Sequence, residues 1–190
     1  MGIFQDTLLG VRLFTKRDTF MNKEEVMNLV MWVKNFKGDI PMPAILKPEP
    51  LWTGKQILSM ILPDINLSLL NSTFDKTLET SVDMTLKDTR VLIQNGEILS
   101  GMFDKNIVGN KANGLLHGIW LEYGPTAAIE FLWHTQLIID NWLVGRGFSV
   151  GINDTIADTE SIKEIKRILA EAKKDVQAHY NNAQQGTLDH

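Results

Sequence analysis

Apolar residues recur every three or four positions in two segments near the start of the chain, a spacing typical of one face of an α-helix. The first set is Phe4, Leu8, Val11 and Phe14. The second set follows Asn22 and Glu25, which have the spacing of a capping box, and comprises Val26, Met27, Val30 and Val33. The pattern therefore predicts two consecutive helices.

Prolines dominate the next segment, "FKGDIPMPAILKPEP". Proline fixes its own φ and disfavours helix in the residue before it, so a segment with four prolines is expected to be extended. We expect extended chain from Ile40 to Pro50, with a short strand at "AIL", residues 44–46.

The residues that follow predict a rigid connection into a helix. Pro50 fixes the direction of the chain, Trp52 enters the core, and Thr53 has the side chain of an N-cap. The helix is expected to begin at Gly54 and to run to about Ile61.

Two stretches between residues 63 and 102 have strand patterns. Ile65, Leu67 and Leu69 alternate with polar residues and predict a strand, whereas the residues from there to residue 90 lack a clear pattern and are expected to form a loop. In "RVLIQNGEILSGM" two apolar runs flank Asn95-Gly96, the dipeptide favoured in tight hairpin turns. A β-hairpin is predicted here.

The second half of the chain has helical patterns again. "LLHGIWLEYG" predicts a short helix that Gly124 and Pro125 end, and a second helix runs from Pro125 to about Val144, with Gly145 and Gly147 ending it. This second helix is apolar around most of its circumference, which predicts burial on several sides.

The last helix is amphipathic. Ser161 and Glu164 have the spacing of a capping box, so the helix is expected to begin near residue 161. Its apolar residues step by three and four, as in a helix-pairing seam: Ile162, Ile165, Leu169, Ala172 and Val176. No later helix in these 190 residues covers that seam.

Together these elements predict an α+β fold. We expect helices packed around a small mixed or antiparallel β element that contains the Asn-Gly hairpin, followed by a long C-terminal amphipathic helix. The composition changes between Gly147 and Asp158, which predicts two domains, residues 1–150 and residues 151–190.

Composition and charge exclude several function classes. Hydrophobic residues make up 44% of the chain and charged residues 22%, an ordinary globular balance, and the formal net charge of −4 argues against an autonomous nucleic-acid-binding surface. The absence of cysteine excludes disulfides, thiolate zinc sites and cysteine nucleophiles. No apolar run is long enough for a membrane span, so we expect a soluble intracellular chain without a membrane partner.

A phosphate-binding loop is the first chemistry to weigh, because Thr53 to Gln56 reads Thr-Gly-Lys-Gln. Such a loop needs a glycine five residues before the Gly-Lys pair and a hydroxyl after it. Glu49 and Gln56 occupy those two positions, so a structural brace is strongly favoured. A free-standing nucleotide-binding protein that uses Thr53–Gln56 remains the alternative.

The other candidate groups favour structural roles. Asp154 and Asp158 lack the dense alternation of a calcium loop and are expected to cap turns or helices, while Asn153 suits a turn. His134, on an apolar helix, is expected to be a buried and hydrogen-bonded histidine. The tryptophans are interpreted as core residues: Trp32, Trp52, Trp120, Trp133 and Trp142. No catalytic residue and no metal ligand is predicted.

Four ordered blocks together resemble the largest subunit of eukaryotic-type RNA polymerase II, from its pore domain into the start of its funnel domain. The blocks are "GIFQDTLLGVRLFTKRDTF", "PAILKPEPLWTGKQILS", "NGEILSGMFDKNIVG" and "GFSVGINDTIAD". The resemblance covers nearly the whole chain and is weakest at residues 63–90. It implies residues 1–150 as the pore domain and residues 151–190 as an incomplete funnel domain.

The resemblance implies a part of an enzyme that makes RNA on a DNA template from nucleoside triphosphates. In that family three aspartates of an Asn-Ala-Asp-Phe-Asp-Gly-Asp motif hold the catalytic Mg²⁺, and this chain lacks the motif. No cofactor is therefore expected on this segment, which would line the secondary channel and be inactive alone. The implied partners are the rest of the largest subunit, the second-largest and smaller subunits, DNA, RNA, nucleoside triphosphates and the transcript-cleavage factor. The implied location is the nucleus, or the cytoplasm for a viral enzyme.

Two positions depart from the family pattern. The family often has two adjacent lysines after the hairpin. This chain has Lys105 at the first of these positions and Asn106 at the second, so half of that positive charge is absent. The turn Gly-Ile-Gly-Asp has Asn153 at its third position, a residue that tolerates turn conformations. By resemblance, Lys105 and Lys111 are the candidate channel-lining residues. A helix-pairing interaction module that uses residues 160–180 is a further alternative.

Overall fold

The computed structural model describes residues 1–34, 36, 38–74 and 88–184. The chain divides into two compact units, Met1–Gly147 and Phe148–His190. The identity of these units as pore and funnel domains stays a prediction. None of the helices in the described residues combines the length and the apolar composition needed to cross a membrane.

The first unit contains five helices and five strands among its described residues. The helices are α1 (Gln5–Phe14), α2 (Lys23–Val30), α3 (Gly54–Ser59), α4 (Lys105–Val108) and α5 (Leu115–Arg146). The strands are β1 (Phe20–Met21), β2 (Trp52–Thr53), β3 (Leu67–Leu70), β4 (Arg90–Gln94) and β5 (Glu97–Ser100). The α+β fold is therefore confirmed, and its β part is antiparallel.

The core forms where α1 packs against the second half of α5. A side chain at Gly10 would overlap Ile139, so glycine permits the two helices to approach closely. Phe14, fully buried, packs edge-to-face on Trp142 with ring centroids 5.0 Å apart, and Thr7 donates a hydrogen bond to Asp140 (2.9 Å). This contact fixes α5, which positions the surfaces described below.

The three-stranded sheet has the order β3-β4-β5, and the predicted hairpin joins its last two strands. Asn95 and Gly96 both have positive φ, 49° and 75°, as a type I′ turn requires. The predicted strand near Leu67 and Leu69 is β3. The expected loop after it falls largely on residues 75–87, outside the described residues.

α5 is bent at Gly124, where φ is 82° and the backbone leaves the helical conformation. Pro125 follows directly and cannot donate the hydrogen bond that would continue the first segment. The predicted break between two helices is thus present as a sharp kink, and the second segment ends before Gly147, whose φ of 73° suits glycine.

Two predictions about the local elements between α1 and α3 are wrong. Residues 44–46 do not form a strand but contribute a single bridge between Ile45 and Leu51, because the pairing of β1 with β2 leaves no further partner for them. On α2, Val26 and Val30 are buried as predicted, whereas Met27 is exposed and Leu29 is buried instead.

The second unit contains a 3₁₀ helix at Ile152–Thr155 and the long helix α6 (Thr159–Gln184). The turn predicted at Asn153 is formed by this 3₁₀ helix. α6 is amphipathic as predicted, and none of its residues is buried. Its start differs from the prediction, because Asp158 accepts a hydrogen bond from the Ser161 amide (3.2 Å) and so caps the helix in place of Ser161.

Candidate functional site

The connection into α3 is held by hydrogen bonds at both of its ends. The Trp52 ring nitrogen donates to the Pro41 carbonyl (2.7 Å), which anchors the extended segment that Pro50 closes. Thr53 and Gln56 form a reciprocal capping box, with the Gln56 amide donating to Thr53 Oγ1 (3.3 Å) and the Thr53 amide donating to Gln56 Oε1 (3.0 Å). The side chains of Thr53 and Gln56 are therefore both used to cap α3.

The other two residues of that loop, Gly54 and Lys55, are also packed against or bonded to the rest of the first unit. A side chain at Gly54 would overlap the Phe14 carbonyl oxygen, so this glycine serves the close packing of α3 against the end of α1. Lys55 Nζ donates to Asp88 Oδ2 at 2.8 Å and is largely buried. These contacts favour the structural brace over a nucleotide site at Thr53–Gln56, because Lys55, the residue that would neutralise a phosphate, is paired with Asp88 instead.

Asp88 lies at the centre of a buried polar cluster that joins segments distant in the sequence. Its carboxylate binds Lys55, lies 3.9 Å from Arg17, and accepts a hydrogen bond from the Gly101 amide (2.7 Å). Asn71 donates to the Asp88 carbonyl (3.3 Å). The cluster ties α3 and the beginning of β4 to the chain after the hairpin, which leads directly into α4.

α4 carries Lys105, and the residue before this helix, Asp104, anchors its start. Asp104 is buried, and its carboxylate accepts from the Asn106 amide (2.9 Å) and from the Ser72 amide. Beyond α4, the Val108 carbonyl accepts from the Ile3 amide (2.9 Å). The short helix is therefore held by two other segments, at Ser72 and at Ile3, while Lys105 lies at an exposed position.

The structure brings the two candidate lysines onto one short surface. Lys111 is exposed and its Nζ donates to Asn106 Oδ1 (3.3 Å), the side chain next to Lys105. Within the described residues, no ion pair involves either lysine. On a chain with a formal net charge of −4, this surface keeps two positive charges without an acidic partner among those residues.

The candidate metal residues near the domain boundary act as caps. Asp154 accepts from the Gly151 amide (2.8 Å), which closes the turn that includes Asn153. Hydrogen bonds from Ser161 hold the pKa of Asp158 below its usual value. Among the residues that the structure describes, no three histidine or carboxylate side chains are grouped so as to hold a metal ion, and these aspartates do not fit the Mg²⁺ of a polymerase centre.

The interpretation of His134 is confirmed, but that of three tryptophans is wrong. His134 is buried and its Nε2 accepts from the Lys34 amide (3.0 Å). Trp52 is buried and Trp142 packs on the core, whereas Trp32, Trp120 and Trp133 are exposed. Ile129 is exposed as well, so the second segment of α5 presents an apolar side that the described residues leave exposed.

A groove along that apolar side is the feature that sequence reasoning missed. It has a volume of about 460 Å³ and lies between the two segments of α5 and the loop 109–112. The apolar residues around the whole circumference of α5 indicated that several of its sides make contacts. That pattern alone does not say which side of the helix meets the core.

Comparison with known families connects these observations. A family model for RNA polymerase Rpb1, domain 3, matches residues 1–155. The chain belongs to this family. An Rpb1 domain 3 is part of the largest subunit of DNA-directed RNA polymerase, a nucleotidyltransferase that works with other subunits and with nucleic acid. The matched residues include the brace at Trp52, the hairpin and both candidate lysines, and they end before α6 begins at Thr159.

Proposed function

We propose that this Rpb1 domain 3 forms part of the secondary-channel wall of a eukaryotic-type RNA polymerase II. The blocks "LKPEPLWTGKQI" and "GFSVGINDTIAD" support the eukaryotic type, since they carry the resemblance to that enzyme. In this proposal residues 1–150 are the pore domain and residues 151–190 begin the funnel domain. The segment shapes the route of substrate and RNA and performs no chemistry itself.

The observation that carries the proposal is the exposed pair of Lys105 and Lys111 beside Asn106. Both lysines lie on a segment that Asp104 and the Asp88 cluster hold rigidly. A positive surface on a rigid wall raises the local concentration of anions such as nucleoside triphosphates and RNA. Because the Lys111 side chain is hydrogen-bonded to Asn106, Lys105 is expected to contribute more to the attraction of anions.

The rest of the enzyme supplies what this segment lacks. Three aspartates elsewhere in the largest subunit would hold the catalytic Mg²⁺, and neighbouring segments and subunits would carry the contacts with the DNA template. The transcript-cleavage factor would reach the channel past this wall. The enzyme would act in the nucleus, or in the cytoplasm for a virus that encodes its own polymerase.

Removing the charge at position 105 tests the proposed channel role. In polymerase assembled with Lys105→Ala, we expect the apparent affinity for nucleoside triphosphates or the pause lifetime to change about two- to fivefold, because one partly screened charge interaction is lost. Transcript elongation at varied substrate and salt concentrations measures both quantities. Lys105→Arg, which keeps the charge, should retain the parent kinetics. Unchanged kinetics in Lys105→Ala would remove the support for a channel-facing Lys105.

The exposed seam of α6 favours a second role in helix pairing. The apolar residues Ile162, Ile165 and Leu169 are all exposed in this chain. The ion pairs from Arg167 to Glu164 and Glu171 lie away from the seam on the same helix. We infer that α6 pairs with another helix, which in the funnel domain would be a later segment of the same subunit.

A single charge in the seam should abolish that pairing. We expect the isolated chain to self-associate through α6 at high concentration, and Leu169→Lys to shift it fully to monomer, because a lysine cannot be buried between two apolar seams. Sedimentation equilibrium measures the shift. Ala178→Lys, on the opposite face of α6, is the matched control and should behave like the parent. Equal association of parent and Leu169→Lys would show that the seam does not pair.

A further inference from the structure

Asp104 is a buried carboxylate at the start of α4, one residue before Lys105. Its side-chain oxygens accept hydrogen bonds from two backbone amides, Oδ1 from Asn106 (2.9 Å) and Oδ2 from Ser72. Within the described part of the chain, no ion pair involves this carboxylate. Because a buried charge is costly unless its hydrogen bonds are made, the two amides are the groups that stabilise it there.

The two acceptor oxygens explain why a carboxylate suits this position. Serine or asparagine has a single side-chain oxygen, which could cap α4 but would reach only one of the two amides. Asp104 reaches both and so joins the start of α4 to the chain that follows β3. Its backbone carbonyl also accepts from the Ile107 and Val108 amides (both 3.0 Å). The first turn of α4 is therefore bonded to Asp104 through both its side chain and its backbone.

Apolar contacts alone do not fix the direction of this short helix. Ile107 and Val108 are buried and hold one side of α4 on the core. Hydrophobic contacts are non-directional, whereas hydrogen bonds restrict both the distance and the angle between their partners. α4 has only four residues, so a change in the bonds of its first turn acts directly on Lys105, the residue that begins it.

Asp104 is connected to Lys111 through one further residue. Its Oδ1 holds the Asn106 amide, and the Asn106 side chain accepts from Lys111 Nζ (3.3 Å). Both exposed lysines of this surface are thus linked to the same buried carboxylate, Lys105 as its neighbour in the chain and Lys111 through Asn106. The placement of two positive charges therefore depends on one buried residue.

We propose that Asp104 is a positioning residue, which strengthens the attraction of nucleoside triphosphates to this surface by holding Lys105 and Lys111 in place. This inference rests on the proposed channel function. The effect has the opposite sign to a simple charge effect. A negative charge next to Lys105 weakens the attraction of anions, so loss of that charge alone would raise their affinity. Loss of the lysines' positions would lower it.

Polymerase assembled with Asp104→Asn tests this inference in elongation assays at varied nucleoside triphosphate concentration. The variant has nearly the parent shape but one acceptor oxygen, so it keeps at most one of the two amide bonds. We expect the apparent KM for nucleoside triphosphates to rise about two- to fivefold with kcat unchanged, because only the attraction of the substrate is altered. In polymerase that already carries Lys105→Ala and Lys111→Ala, Asp104→Asn should change KM by less than about 1.5-fold.

A helix cap elsewhere in the same unit provides the matched control. Asn22 caps α2 by accepting from the Glu25 amide (2.9 Å). Asn22→Ala removes a cap of the same kind, and its KM should equal that of the parent. Gel filtration verifies that each variant assembles. Should Asp104→Asn not assemble, Asp104→Ser, which can still cap α4 through one oxygen, is measured in the same way and carries the same expectation.

Two results would overturn the inference. An unchanged or lowered KM in Asp104→Asn would mean that the carboxylate acts through its charge or not at all. An equal effect of Asp104→Asn with and without the two lysines would mean that it acts by another route. The Lys105→Ala enzyme separates these results from the channel function. Altered kinetics there, with an unchanged KM in Asp104→Asn, would leave the role of Lys105 intact, whereas unchanged kinetics in Lys105→Ala would contradict both proposals.

Discussion

Replacing Gly54 by alanine is expected to lower the free energy of unfolding of the first unit by about 1–3 kcal/mol, the range of a forced overpacking in a core. The added Cβ would overlap the Phe14 carbonyl oxygen and would lie 2.8 Å from its ring Cδ1. Phe14 cannot move aside easily, because it is fully buried and packed edge-to-face on Trp142. Either α3 or the end of α1 would have to shift.

Urea denaturation followed by tryptophan fluorescence measures this loss. All five tryptophans lie within Met1–Gly147, so the signal reports the unit that contains Gly54. Gly145→Ala is the matched control, because no atom lies within 4 Å of its new Cβ and the position is helical. That variant should be as stable as the parent or slightly more stable. A Gly54→Ala chain of parental stability would contradict the close packing of α3 on Phe14.

Replacing Lys55 by methionine is expected to cost about 3–5 kcal/mol of stability, because it leaves the carboxylate of Asp88 buried without its closest cation. The two side chains are 12% and 8% exposed, and the distance between Nζ and Oδ2 is 2.8 Å. The Gly101 amide still donates to the carboxylate, but Arg17 is 3.9 Å away and mostly exposed. The remaining contacts therefore compensate only in part.

A second ion pair of the same unit provides the control. Lys34→Met removes an exposed partner of Glu130 and should cost less than about 1 kcal/mol. The double variant Lys55→Met with Asp88→Asn should be more stable than Lys55→Met alone, since it no longer buries an uncompensated charge. If the two lysine variants lose the same stability, Asp88 is not the buried centre that ties α3 to β4.

Local sequence signals predicted the elements that depend on neighbouring residues. The N-caps predicted at Asn22 and Thr53 are present, because a cap needs only a side chain and the amide three residues further along the chain. The Asn95-Gly96 turn is present for the same reason, since positive φ is a property of the two residues themselves. Motif absence also argued against a phosphate loop at Thr53–Gln56, and the hydrogen bonds of Thr53, Lys55 and Gln56 favour the same interpretation.

Features that depend on distant contacts could not be predicted in this way. The partner of Lys55 is Asp88, 33 residues along the chain, and no pattern links them. Trp120 and Trp133 have the same apolar surroundings in the sequence as Trp142, yet only Trp142 faces α1. The side of a largely apolar helix that meets the core is decided by the elements packed on it. At the start of α6, Asp158 and Ser161 both have side chains that can serve as an N-cap, and in the structure Asp158 is the residue that does so.

The most direct test of the polymerase assignment is the full reading frame of the transcript that encodes these 190 residues. We expect the frame to continue on both sides, with an Asn-Ala-Asp-Phe-Asp-Gly-Asp motif upstream for the catalytic Mg²⁺ and a second long amphipathic helix downstream to cover the seam of α6. Stop codons close to both ends, with no aspartate motif, would mean that a free-standing protein carries this Rpb1 domain 3 and would contradict the channel-wall function.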